Sequence, residues 1–99
     1  MIRLALPSHK DRALKILCLG AHCDDIPIGC GGALLRLAQE HRNIEAAWIV
    51  MTSNAQRYKE EEAAAQSFLK HVKIKHIVIK EWRDGFLPYC GSDVKEFFE

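Results

Sequence analysis

One short segment gathers the side chains that carry out hydrolytic chemistry. Ala21-His22-Cys23-Asp24-Asp25-Ile26-Pro27-Ile28-Gly29-Cys30-Gly31-Gly32 holds an imidazole and two carboxylates within four residues. Imidazole nitrogen and carboxylate oxygen are ordinary zinc donors, and a three-residue separation inside a tight turn can bring His22 and Asp25 around one ion. Asp24, pointing elsewhere, is then available as a base. A catalytic zinc keeps one position open for water and lowers its pKa to about 7, and an unligated carboxylate nearby takes the proton as the water attacks a carbonyl. The same residues admit a plainer reading, in which a polar loop with two aspartates turns the chain and caps the next helix. Composition alone leaves both open. Gly29, Gly31 and Gly32 likewise suit either backbone amides approaching an anion at a helix mouth or close packing of helix on sheet. They lie too far from the strand end, and at the wrong spacing, for a Gly-x-Gly-x-x-Gly dinucleotide loop.

The flanking elements must hold that loop in place. Leu14 to Gly20 is a nearly continuous apolar run ending in glycine, which predicts a strand buried on both faces of a parallel sheet. From Gly29 to Arg42 the period changes, and Leu34, Leu37, Ala38 and His41 share a helical face. Ile44 to Thr52 predicts a second buried strand and Ser53 to Gln56 a polar loop. A second amphipathic helix is expected from Arg57 to about Val72, with Ala64, Ala65, Phe68, Leu69 and Val72 inward and Glu60, Glu61 and Glu62 near its start. Lys75 to Lys80 predicts a third strand, then comes a loop with Gly85, Pro88 and Gly91, and Ser92 is placed to cap a last helix beginning at Asp93. Strands alternating with helices through short connections imply right-handed crossovers and a Rossmann-like three-layer α/β fold with a parallel sheet. In such sheets ligands collect beyond the carboxyl ends of the strands, where the His22–Asp25 segment falls.

His22-Cys23-Asp24-Asp25 followed by Gly29-Cys30-Gly31-Gly32 resembles the Ala-His-Pro-Asp-Asp-x-x-x-Gly-x-Gly-Gly signature of the PIG-L/LmbE family of zinc-dependent deacetylases. Arg57-x-x-Glu60-x-x-x-Ala64 is similar to that family's Arg-x-x-Glu-x-x-x-Ala helix, and Trp82-Arg83-Asp84-Gly85 to its loop after the third strand. The resemblance implies zinc held by His22 and Asp25, Asp24 as general base, and Arg57 and Asp84 against sugar hydroxyls. A carboxylate accepts from ring hydroxyls and a guanidinium donates in a fixed fork, so those assignments are chemically sound. The alternatives are an ion pair of Arg57 with Glu60 or Glu61, and a turn made by Asp84 with Gly85. The implied reaction is removal of acetate from an N-acetylglucosamine-containing small molecule.

Two departures stand out. Cys23 replaces the family's proline, removing a restraint on φ and placing a thiol beside the metal site. The family's third ligand, from a C-terminal His-x-x-His-type motif, has no counterpart after residue 84, and His41, His71 and His76 read as surface or packing residues. The chain is therefore expected to be the N-terminal part of one longer LmbE-like domain. A non-catalytic sugar- or partner-binding module is the rival reading.

Bulk properties narrow the class. The 99 residues suit one domain, and 14 basic against 13 acidic residues leave a net charge of +1 with no basic run, so neither nucleic acid nor membrane is expected as a partner. Four cysteines without CxxC spacing and a 48% hydrophobic content predict a reduced, cytoplasmic protein, and Cys23 with Cys30 show no resolving-pair spacing. The N-terminal lead is too short and polar for a signal peptide's apolar region. With only part of the sheet present, an open edge and an apolar face would favour homo-oligomers.

Overall fold

A computed structural model describes residues 1–2, 5–6 and 11–99. Arg3, Leu4 and residues 7–10, on which the reading of the N-terminal lead partly rests, lie outside the described residues. Three strands, β1 (Leu14–Gly20), β2 (Ile44–Thr52) and β3 (Ile74–Trp82), alternate with helices α1 (Asp25–Glu40) and α2 (Ala55–Phe68). A 3-10 turn at Leu87–Cys90 leads into a short helix α3, Gly91–Phe98. The sheet is parallel in the order β1-β2-β3, giving the expected α/β architecture. Because both crossovers step in the same direction with the same hand, α1 and α2 lie side by side on one face.

Beneath those two helices sits the core. Cys18 of β1, Ile44, Ala46, Trp48 and Val50 of β2 and Ile79 of β3 cluster with Ile26 and Leu34 of α1, Ala65 of α2 and Leu69 just after it. Trp48 is wholly buried, with its ring 6.1 Å from that of Phe68. Among the described residues, the opposite face carries α3 at its carboxyl end. There Val94 and Phe98 of α3 line an apolar cavity with Leu19 and Met51, and Phe97 meets Trp82 edge to face at 6.0 Å.

The expectation that β1 is buried on both faces is corrected: Leu17 and Leu19 are 60% and 56% exposed. An unbroken apolar run specifies a strand but not how many of its faces are covered, and the third layer here is a single two-turn helix.

All three helix starts differ from expectation, and α2 runs from Ala55 to Phe68 where Arg57 to about Val72 was expected. α1 begins at Asp25, four residues early, because Pro27 falls in the first turn, where a missing N–H costs nothing. Ser92 is not a cap. α3 starts at Gly91 after Cys90, with no side-chain capping bond. At the carboxyl end of the sheet β3 gains a residue on β2, since Val50 pairs with Ile79 but Thr52 with Trp82. Such a bulge re-aims the chain that leaves it, and Ser53 Oγ donates to the Lys80 carbonyl there at 2.8 Å.

Candidate active site

The loop between β1 and α1 is pinned to its neighbours at three points. Thr52, buried at the end of β2, donates to the Ala21 carbonyl from both its hydroxyl, at 2.8 Å, and its backbone N–H, at 3.1 Å. Cys23 Sγ lies 3.5 Å from the Thr52 carbonyl and 3.9 Å from that of Arg57. The Asp24 backbone N–H donates to Glu61 Oε2 at 3.0 Å. These restraints hold a short turn rigidly over the end of the sheet.

Asp24 is the only non-glycine among the described residues with positive φ, at 71°. The left-handed region costs an L-residue about 1–2 kcal/mol, less for aspartate than for most. Although it occupies the N-cap position of α1, its side chain makes no capping bond. The plain reading of this residue as a helix cap is therefore not realised. Asp25 does brace the turn, since its Oδ2 accepts the His22 backbone N–H at 2.9 Å.

His22 is held between two carboxylates. Its Nε2 lies 3.1 Å from Asp84 Oδ1 and its Nδ1 3.6 Å from Asp25 Oδ2. Carboxylates only accept, so either ring nitrogen can turn a proton to its neighbour, and the tautomer with the proton on Nε2 leaves the Nδ1 lone pair on the Asp25 side. Two donors sharing a tetrahedral zinc at about 2.0–2.1 Å stand roughly 3.3–3.4 Å apart. The His22–Asp25 pair nearly meets that spacing, so these two side chains fit one ion. Among the described residues, no group of three or more His, Cys, Asp or Glu side chains is arranged to hold a metal.

Asp84 comes from the loop after β3. The Phe86 N–H donates to the Arg83 carbonyl at 3.1 Å, and Gly85 has φ 81°, as the third residue of a type II turn requires. The turn reading of Asp84 is thus met, and its side chain lies beside the histidine, a contact the sequence did not suggest. With Thr52, Ser53, Asn54, Arg57 and Arg83 it lines a polar cavity of about 380 Å³. Asn54 caps α2 by accepting the Arg57 N–H at 2.9 Å, which places Arg57 at the cavity edge. Among the described residues Arg57 pairs with neither Glu60 nor Glu61.

Glu61 was not among the expected site residues. Of the run Glu60-Glu61-Glu62 it alone is buried, at 1% exposure, accepting the Trp48 indole N–H at 2.9 Å as well as the Asp24 amide. The available signal was helical spacing. Glu61 stands four residues before Ala65 and eight before Leu69, on the buried face of α2.

The three glycines lie inside α1 beyond its first turn, where amides bond within the helix, so no anion cradle forms. Gly31 meets the packing reading, against α2 and not the sheet, since a Cβ there would fall 2.6 Å from Phe68 Cε1. His76 pairs with Glu45 at 3.3 Å on the surface. Burial pushes the Cys23 thiol above its usual range, and the Glu61 and Asp24 carboxylates add to the shift against an opposing effect of Arg57. No helix among the described residues is long and apolar enough to cross a membrane.

No protein-family model matches the chain. It is 49% identical over 49 residues to the uncharacterised deacetylase YaiS of Escherichia coli (strain K12), covering 50% of this chain and 25% of that protein. In fold it matches the N,N'-diacetylchitobiose deacetylase of Pyrococcus horikoshii, with a TM-score of 0.62, 28% identity, and coverage of 88% of this chain and 36% of that one. The chain is similar to deacetylases in sequence and in fold. It spans about a quarter to a third of the length of these relatives.

Proposed function

We propose that this chain is the metal-binding and proton-accepting part of a zinc-dependent deacetylase that hydrolyses the acetamide of an N-acetylglucosamine-containing small molecule. The reading rests on one observation: His22 Nδ1 stands 3.6 Å from Asp25 Oδ2 while its Nε2 stands 3.1 Å from Asp84 Oδ1. The likeness to two deacetylases supports it. His22 Nδ1 and Asp25 Oδ2 would hold zinc together with a donor beyond those described. Zinc, when bound, supplies Lewis acidity and a water of lowered pKa.

Asp24 lies between the two donors in sequence, and its carboxylate is not committed to capping. It takes the proton from the attacking water as that water adds to the acetamide carbonyl. Arg57 and Asp84, at the edge of the polar cavity, donate to and accept from the hydroxyls of the amino sugar and orient its acetamide toward Asp24. Asp84 then serves both histidine and sugar.

The test is acetate release from N,N'-diacetylchitobiose and other N-acetylglucosamine conjugates, with zinc supplied and the longest expressible form of the protein. Activity that Asp24→Ala abolishes while zinc content holds is the expected result. Absence of release from a zinc-loaded protein, or full activity in Asp24→Ala, overturns the proposal. Because the donor set among the described residues stops at two, a second reading is a non-catalytic module binding sugars in the cavity at Arg57 and Asp84. Sugar binding without zinc and unaffected by His22→Ala would favour it.

A further inference from the structure

A carboxylate taken out of water is costly unless its lone pairs are filled, and Glu61 has no ion pair among the described residues. It lies at 1% exposure with two N–H groups on it, one per oxygen: the Trp48 indole at 2.9 Å and the Asp24 amide at 3.0 Å. An aliphatic side chain at this core position of α2 would avoid that cost. The indole alone does not account for a two-oxygen acceptor. What the second oxygen does is hold the backbone of the one described non-glycine residue in the left-handed conformation.

We infer that Glu61 is the positioning residue for Asp24: clamped to the core by Trp48, its carboxylate fixes the left-handed turn and hence the direction in which the Asp24 carboxylate leaves the chain. The inference builds on the proposed role of Asp24 as base. Trp48 acts as the anchor, because its ring is immobilised between the sheet and the two helices and its N–H fixes one oxygen of Glu61. The other oxygen is thereby aimed at the loop. Each link is rigid, so the geometry of the core is carried to the base through two hydrogen bonds.

The amide of glutamine offers one acceptor where the carboxylate offers two. In Glu61→Gln either the indole or the Asp24 N–H must face an NH2 group, and the indole, being fixed, keeps the oxygen. The loop amide is then released. The expected result is a kcat lowered about 10- to 100-fold with KM unchanged, and hydrogen exchange at the Asp24 amide accelerated at least about tenfold while Val50 and Ile79 exchange as before. Pairing that change with Trp48→Phe removes the competing donor and lets the glutamine oxygen turn to Asp24. Glu61→Gln/Trp48→Phe should therefore recover kcat over Glu61→Gln alone even though its thermal midpoint is lower. A merely structural role makes activity follow stability downward in the double variant, and that result overturns the inference. So does wild-type kcat in Glu61→Gln. If instead Asp24→Ala keeps full activity, the base assignment fails first, and the exchange measurement alone judges the clamp.

Discussion

Asp84 Oδ1 sits 3.1 Å from His22 Nε2, so a residue from the loop after β3 meets the imidazole of a residue from the loop after β1. Outer partners of this kind hold a metal-binding imidazole in orientation and raise its basicity, and their loss typically weakens metal affinity about 10- to 100-fold. Asp84→Ala should do the same here, read by competition with a chromophoric zinc chelator. A raised KM with unchanged zinc affinity would instead confine Asp84 to sugar binding.

Asp24 combines the left-handed conformation with the proposed base. Replacing it by glycine relieves the conformational cost and keeps the backbone N–H that Glu61 accepts, whereas alanine keeps the cost. Asp24→Gly should therefore be more stable than Asp24→Ala by about 1–2 kcal/mol in urea unfolding. Both should lose deacetylation by about 10²- to 10⁴-fold, the usual contribution of a general base. Equal stability of the two variants would mean that the left-handed turn is not strained.

The sheet was readable because parallel strands announce themselves as apolar runs, and β1 and β2 fall at the residues expected. Coverage was not readable. Leu17 and Leu19 look like any buried strand residues, and only tertiary structure shows that both stay more than half exposed. Pro27 suggested a helix that opens only at Gly29, but the first turn of a helix does not need a proline's N–H, and α1 begins at Asp25. The pairing of His22 with Asp25 followed from their spacing. Glu61 was hidden among three consecutive glutamates, and the acid singled out by resemblance, Glu60, is exposed.

The glycines of α1 separate packing from permissiveness. A Cβ on Gly31 would meet Phe68 Cε1 at 2.6 Å, and that ring is held against Trp48. Gly31→Ala should cost about 1–3 kcal/mol, as overpacking does. At Gly32 a Cβ meets nothing within 4 Å, so Gly32→Ala should stabilise α1 by about 0.5–1 kcal/mol. Opposite shifts of the urea midpoint for neighbouring, identical substitutions are the expected outcome. Two changes of the same sign would contradict the α1–α2 packing described.

Cys18 ties stability to alkaline pH. It is 6% exposed in β1, and burial, with Cys30 adding to it, pushes its thiol from a usual value near 9 up to about 11. Below pH 9 the thiol is protonated whether the chain is folded or not, and it has no effect on the pH dependence. Between about pH 9 and 11 the unfolded chain releases this proton while the folded chain keeps it. The unfolded state then binds fewer protons, so stability falls as pH rises and levels off above the folded value. Two pKa steps correspond to about 2–3 kcal/mol. Many groups titrate in this range, so the difference between wild type and Cys18→Ala isolates the effect. Alanine should be less stable at pH 7 because it leaves a small cavity beside the core. That deficit should shrink by about 2–3 kcal/mol from pH 8 to 11, measured by urea unfolding at each pH. A deficit constant across the range would mean that the Cys18 thiol ionises as readily in the fold as in the unfolded chain, which burial between sheet and helices should forbid.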